Sequence, residues 1–198
     1  MNTWDKKVKV NNKYVPKRKV LDYYKNLWNS STRFRNLLKK NGAFIRASYN
    51  GKPVIKRKKI KIKDFDDLKK AIKEHAVEFH VPSKKTSYTS YLDIDLPPRY
   101  KKRRKQVSRS VIDQLKDEGV NVSLVTDAPS GAHIFSTSPQ SKLKKALQNI
   151  KNKNKRTKKR YHIGKSSRNK IVLDPSEPNV AIPDSLSMKG KPYKKWKK

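Results

Sequence analysis

From Val20 to Asp174 the apolar residues follow two periods in turn, and that alternation constrains the fold more than any other feature. Val20, Tyr23, Tyr24 and Leu27 recur at spacings of three and four, as do Phe65, Leu68 and Ile72, and again Val107, Val111, Ile112 and Leu115. Each set marks one face of a helix. Between them lie short runs of strand character: VEFHV (77–81), SYLDIDL (90–96), VNVSLVTD (120–127), AHIFST (132–137) and KIVLD (170–174). Asn50-Gly51 between two β-prone runs signals a hairpin, and the strand–turn–strand at 120–137 adds antiparallel pairing. The expected class is α+β, or mixed α/β: a mostly antiparallel sheet with flanking helices. NSST (29–32) and Asp64 offer helix caps, and Gly119 stops a basic helix that starts near Tyr100. SKLKKALQNIKNKNK makes an amphipathic helix that dissolves into a basic low-complexity stretch.

Charge sets the partner class. The chain has 52 Lys and Arg against 16 Asp and Glu, a formal charge of +36 over 198 residues. Such an excess repels itself unless a polyanion is near, and nucleic acid is the common one; an acidic membrane surface is the alternative. No apolar run approaches the ~20 residues of a membrane span, and no signal peptide opens the chain. Cysteine is absent, so no disulfide framework and no thiolate zinc site is expected. These features lead to the expectation of a cytoplasmic, nucleoid-associated or otherwise intracellular protein.

In so basic a chain, YLDIDLPPRY (91–100) spends two scarce acids one residue apart. Alternation along a strand puts Tyr91, Asp93 and Asp95 on one face and Leu92, Ile94 and Leu96 on the other. Carboxylates at i and i+2, about 7 Å apart at Cα, can converge on one or two divalent cations. Alone, the pair better fits a half-buried strand whose polar face meets water. Asp174 ends another apolar strand and His133 opens one after a tight SGAH turn. Together these residues suit metal-assisted phosphoryl or nucleotidyl transfer, in which two cations clamp the attacking and leaving oxygens. GKSS (164–167) lacks the upstream glycine of a P-loop, since residue 159 is Lys. His75 and His162 have no partner at metal spacing. Tyr88, Tyr91 and Tyr161 suit either base stacking or the core. The basic tracts at 101–105 and 151–160 suit either solvated faces or contact with a nucleic-acid backbone, and the net charge favours the second.

The ordered series resembles the archaeo-eukaryotic primase superfamily, and most closely the primase-polymerase domain of DNA ligase D. VLDYYKNL (20–27) is similar to its first helix, AVEFHVPS (76–83) to the strand before its catalytic acids, YLDIDLPP (91–98) to its acidic motif, and LDPSEPNVAIPDSLSMKG (173–190) to its last motif. The resemblance implies an RRM-like catalytic core, with Asp93, Asp95 and Asp174 as metal ligands for Mg²⁺ or Mn²⁺ and no zinc. It places His80 and His133 against the incoming nucleotide. Ser130, Ser185, Lys189, Lys165 or Arg168, and one Lys of the run 56–59 then fall near its phosphates. The SGAH turn lacks a Lys found in the family's longer turn, Ser187 stands where the family has Arg, and the chain is short.

The implied activity is nucleotide transfer from NTP or dNTP to a 3′ hydroxyl on a DNA template, with a DNA or RNA primer, in replication priming or repair. The alternatives are a non-enzymatic basic nucleic-acid-binding protein and a degenerate primase fold kept for binding. The organisation expected is a basic flexible arm over 1–17, one domain over 18–190 (18–88 an N-terminal part, 89–190 the catalytic core), and a basic tail over 191–198.

Overall fold

A computed structural model describes residues 4–10, 13–49, 52–74, 76–82, 87–128, 130–155, 161–164, 169–175, 179–186 and 192–196, with backbone alone at 9–10, 13–14, 44–49, 52–58 and 179–180. The chain divides into two units. Unit 1 joins Met1–Pro82 to Asn179–Lys194, and unit 2 joins Ser83–Pro178 to Lys195–Lys198. The sequence reading is of one domain over 18–190, with 18–88 as its N-terminal part and 89–190 as its catalytic core. The segment after Asp174 returns to pair with a strand formed a hundred residues earlier, which local periodicity does not reveal.

In chain order the elements are β1 (Lys7–Val10), β2 (Lys13–Pro16), α1 (Lys17–Ser30), α2 (Thr32–Asn41), β3 (Ala43–Tyr49), β4 (Lys52–Ile60), α3 (Phe65–Lys73) and β5 (Ala76–Pro82). Then come β6 (Ser90–Asp95), a 3-10 turn over 98–103, α4 (Arg104–Asp117), β7 (Val122–Asp127), β8 (Gly131–Ser136), α5 (Gln140–Lys153), β9 (Tyr161–Ile163), β10 (Ile171–Asp174) and β11 (Asn179–Ala181).

Unit 1 holds a four-stranded antiparallel sheet in the order β11-β5-β3-β4 and the two-stranded β1-β2 pair. Where a loose arm is expected, Val8 is buried opposite Val15, and the Lys17 amide donates to the Lys6 carbonyl at 3.0 Å. Local caps follow the sequence. The Ser31 hydroxyl accepts from the Phe34 amide at 3.2 Å, and the Asp64 carboxylate from the Asp67 amide at 2.9 Å. Gly42 ends α2 at φ +64, and a Cβ there would meet the Ile60 carbonyl oxygen at 2.4 Å. Tyr24 forms the centre of this core. It is fully buried, stacks on Phe34 and meets Phe79 edge-on. Its hydroxyl donates to the Val77 carbonyl at 2.5 Å and accepts from the Leu186 amide at 3.0 Å, and burial pushes its pKa well up. Tyr23 donates to the Asp184 carbonyl at 2.6 Å, and burial raises its pKa to about 12. The paired tyrosines thus tie α1 to the turn after β11.

Unit 2 is a five-stranded sheet in the order β7-β8-β6-β10-β9, antiparallel except where β9 runs parallel to β10. One face of it packs on α4 and α5. Leu92, Ile94, Ile134, Ile171 and Leu173 from the strands meet Val111, Ile112, Leu115, Leu143, Leu147 and Ile150 from the helices. The apolar stripes read from the sequence supply this core. Glu118, just past α4, accepts from Asn149 Nδ2 at 2.7 Å and Lys153 Nζ at 2.6 Å on α5. The architecture is mixed α+β with mostly antiparallel sheets, as the alternating periods imply.

Candidate active site

Because Leu92 and Ile94 point into the helix-covered core, Asp93 and Asp95 must face the other way. The neighbours of β6 then determine what they meet. Asp93 stands opposite His133 on β8 and opposite Asp174 on β10, while Asp95 stands opposite Gly131 and Val172. His133 in turn stands opposite Thr126 on β7. Facing residues on adjacent strands share a side of the sheet. Thr126, His133, Asp93 and Asp174 therefore form one row across four strands, with Asp95 in the next row. Within it, His133 Nε2 lies 3.5 Å from Asp93 Oδ1, and the Tyr91 ring centroid lies 5.5 Å from the His133 ring. Asp174 and His133 are buried; Asp93 and Asp95 are half-buried.

The turn 128–131 explains why β8 approaches so closely. The Gly131 amide donates to the Ala128 carbonyl and the Ala128 amide to the Gly131 carbonyl, both at 3.3 Å. A Cβ on Gly131 would sit 1.8 Å from the Ile94 carbonyl oxygen, so only glycine allows β8 to lie here beside β6. That places Ser130 over Asp95: its backbone carbonyl accepts from the Leu96 amide at 3.1 Å, and its hydroxyl donates to Asp95 Oδ1. Ser130 therefore orients a carboxylate.

Three carboxylates and an imidazole on one face are hard-ligand chemistry that fits Mg²⁺ or Mn²⁺. Asp93 directly opposite Asp174 is a like-charge pair that a cation offsets. Among the described residues, however, no group of three or more His, Asp or Glu side chains stands arranged to hold a metal. The strands supply the register; the side chains are not drawn together around a centre.

His80 and Ser185 belong to unit 1. His80 is buried with Nε2 3.1 Å from Glu78 Oε1, and Glu78 also accepts from the Tyr193 hydroxyl. Ser185 is fully buried and donates to the Ile182 carbonyl at 2.7 Å, closing a turn whose Asp184 has φ 66. That hydroxyl is used inside the fold, which the expectation of a phosphate contact did not anticipate. Lys165, Arg168, Lys189, Ser187 and His75 lie outside the described residues, and of the run 56–59 only Lys59 has a described side chain, which is exposed. Tyr91 and Tyr161 are core residues, and Tyr88 packs on Phe135. Sequence reading missed a network at the other end of the SGAH turn. Asp127 Oδ1 accepts from Arg104 Nη2 at 3.3 Å and from Trp196 Nε1 at 2.9 Å. The residues involved come from three distant segments, and no spacing rule links them.

No family model matches the chain, and no curated protein matches it. A solved structure does: the polymerase domain from Mycobacterium tuberculosis ligase D in complex with DNA, with a TM-score of 0.71, covering 100% of this chain and 86% of that one at 16% identity. The two share a fold. Among the described residues no helix is long and apolar enough to cross a membrane.

Proposed function

We propose that this chain is a DNA-directed nucleotidyltransferase of the primase-polymerase type, adding nucleotides from NTP or dNTP to a 3′ hydroxyl in replication priming or repair. The observation that carries this reading is the cross-strand register of Asp93 with both His133 and Asp174. A protein that only binds polyanions gains nothing by stacking acids on one face, because each repels phosphate. In this reading Asp93, Asp95 and Asp174 hold the cations, Ser130 fixes the orientation of Asp95, and His133 orients Asp93 from the neighbouring strand. Mg²⁺ or Mn²⁺ bound there supplies charge neutralisation at the triphosphate and activation of the attacking hydroxyl. The surrounding charge of +36 concentrates the nucleic acid.

A second reading is a fold of this type kept for nucleic-acid binding without catalysis. It is favoured by the arrangement of the carboxylates, which are aligned without being gathered into a metal-holding group among the described residues. Replacing Asp93 and Asp95 together by Ala separates the two. If the chain is an enzyme, primer extension with Mg²⁺ or Mn²⁺ falls at least ~10³-fold while gel-shift affinity for DNA stays level or rises. Wild-type protein that incorporates nothing with either metal, yet shifts DNA in a gel, overturns the enzyme reading in favour of the second.

A further inference from the structure

On the helical side of unit 2, away from the carboxylates, lies a feature the reaction does not use. β7 is the edge strand of its sheet. Lys195 bridges Thr126 in antiparallel fashion and the Trp196 amide donates to the Val125 carbonyl at 2.9 Å, which lays the segment alongside that edge. The indole packs on the rim of the helix–sheet core. Lys105 Nζ and the Arg109 guanidinium each lie 6.0 Å from its ring centroid. Beside it, a groove of about 770 Å³ runs between α4 and β7, within the ~300–1,000 Å³ typical of ligand sites. Arg109, Lys116 and Lys195 line it, with Asp113 the one acid among its described lining residues.

A tryptophan that merely caps a core has no need of such neighbours. Cations around one aromatic ring repel one another; among the described residues beside the groove, Asp113 and Asp127, the latter also paired with Arg104, offset only part of that charge, and in a chain of +36 a polyanion offsets the rest. We propose that this groove docks single-stranded nucleic acid, with a base stacked against Trp196 and adjacent phosphates on Lys105, Arg109, Lys116 and Lys195. The aromatic ring selects the single strand over the duplex, because a base offers its π-face only when it is unpaired and unstacked. The surface lies on the opposite side of the sheet from Asp93, so it holds a strand without competing for the reaction site. The proposal shares with the functional reading above only the class of partner, and does not require catalysis.

The test uses the full chain and two fluorescent oligonucleotides of equal length, one of thymidylates and one abasic, with affinity read by anisotropy. Wild type should prefer the base-bearing strand by about 5- to 150-fold, the range for one stacked base. Trp196→Phe should keep most of that preference, and Trp196→Ala should lose it. Lys105→Ala with Arg109→Ala should weaken both oligonucleotides alike and lower the slope of log affinity on log salt by about 1–2. Thermal melting of each variant verifies folding, and the Phe variant and the charge variant keep the test decisive if the Ala variant is unstable. Equal wild-type affinity for the two strands overturns the proposal, as does a base preference that survives Trp196→Ala. The Asp93/Asp95 double variant run alongside should keep the preference. Loss of incorporation with the preference intact therefore bears on the reaction alone.

Discussion

Asp174 and Asp93 face each other across adjacent antiparallel strands, with His133 on the other side of Asp93. Two carboxylates held opposite one another destabilise a sheet by a few tenths to ~1 kcal/mol, and a bound divalent cation reverses the sign. Mn²⁺ should therefore raise the melting temperature of the wild type, by an amount equivalent to ~2.7 kcal/mol at a hundredfold excess over its Kd. Asp174→Asn should melt higher than wild type in chelator and gain little from the metal. A metal response unchanged by that substitution places the cation elsewhere.

Ser130 donates to Asp95 Oδ1 from the turn that Gly131 closes. Supports of this kind cost about 10- to 100-fold in metal affinity or activity when removed. Ser130→Ala should lower incorporation by that factor, with part of the loss recovered at high Mn²⁺, and should leave gel-shift affinity for DNA unchanged. A loss of DNA affinity instead assigns Ser130 to the nucleic acid.

Gly131→Ala forces a methyl against the Ile94 carbonyl oxygen, which is backbone and has nowhere to move without breaking the β6–β8 ladder. The substitution should cost at least ~2 kcal/mol in urea unfolding, at the upper part of the overpacking range. An unchanged midpoint means the two strands sit further apart than described.

Glu118 contributes a pH-dependent part of the stability. Hydrogen bonds from Asn149 and Lys153 hold its carboxyl below the usual value. With a folded pKa below the unfolded one, the unfolded chain binds the proton more tightly. The stabilisation is then complete above the unfolded value, near 4.3, and fades as pH falls through the folded one. Glu118→Gln should melt lower than wild type at pH 7, with the gap closing toward pH 3. A gap independent of pH leaves the contribution to packing.

Much of this fold is written locally. The stripes of α1, α3, α4 and α5, the caps at Ser31 and Asp64, and the outward face of Asp93 and Asp95 follow from spacing alone, because helix and strand periods are properties of neighbouring residues. The strands missed are β1, β2, β9 and β11, each of three or four residues and too short for alternation to register. For the candidate site, the identities of its acids were legible but their adjacency was not. Nothing in KIVLD says that it lies beside YLDIDL rather than another strand; that depends on pairing across some eighty residues. For Ser185 the segment identifies the residue, but the direction of its hydroxyl, donated to the Ile182 carbonyl, depends on a turn that no spacing rule gives. The Asp127–Arg104–Trp196 cluster has no sequence signal, because each member is unremarkable in its own stretch.

The return of β11 to β5 has a consequence for biosynthesis. The sheet of unit 1 lacks its β11 edge until residues 179–181 have been made, although α1 to β5 emerge first. The buried hydroxyl of Tyr24 likewise waits for the Leu186 amide. Unit 2, whose strands and helices all lie between residues 90 and 174, needs nothing from β11 for its own sheet. A released chain truncated at residue 178 should thus display a protease-resistant second half and a labile first half, although the first half is the one made first.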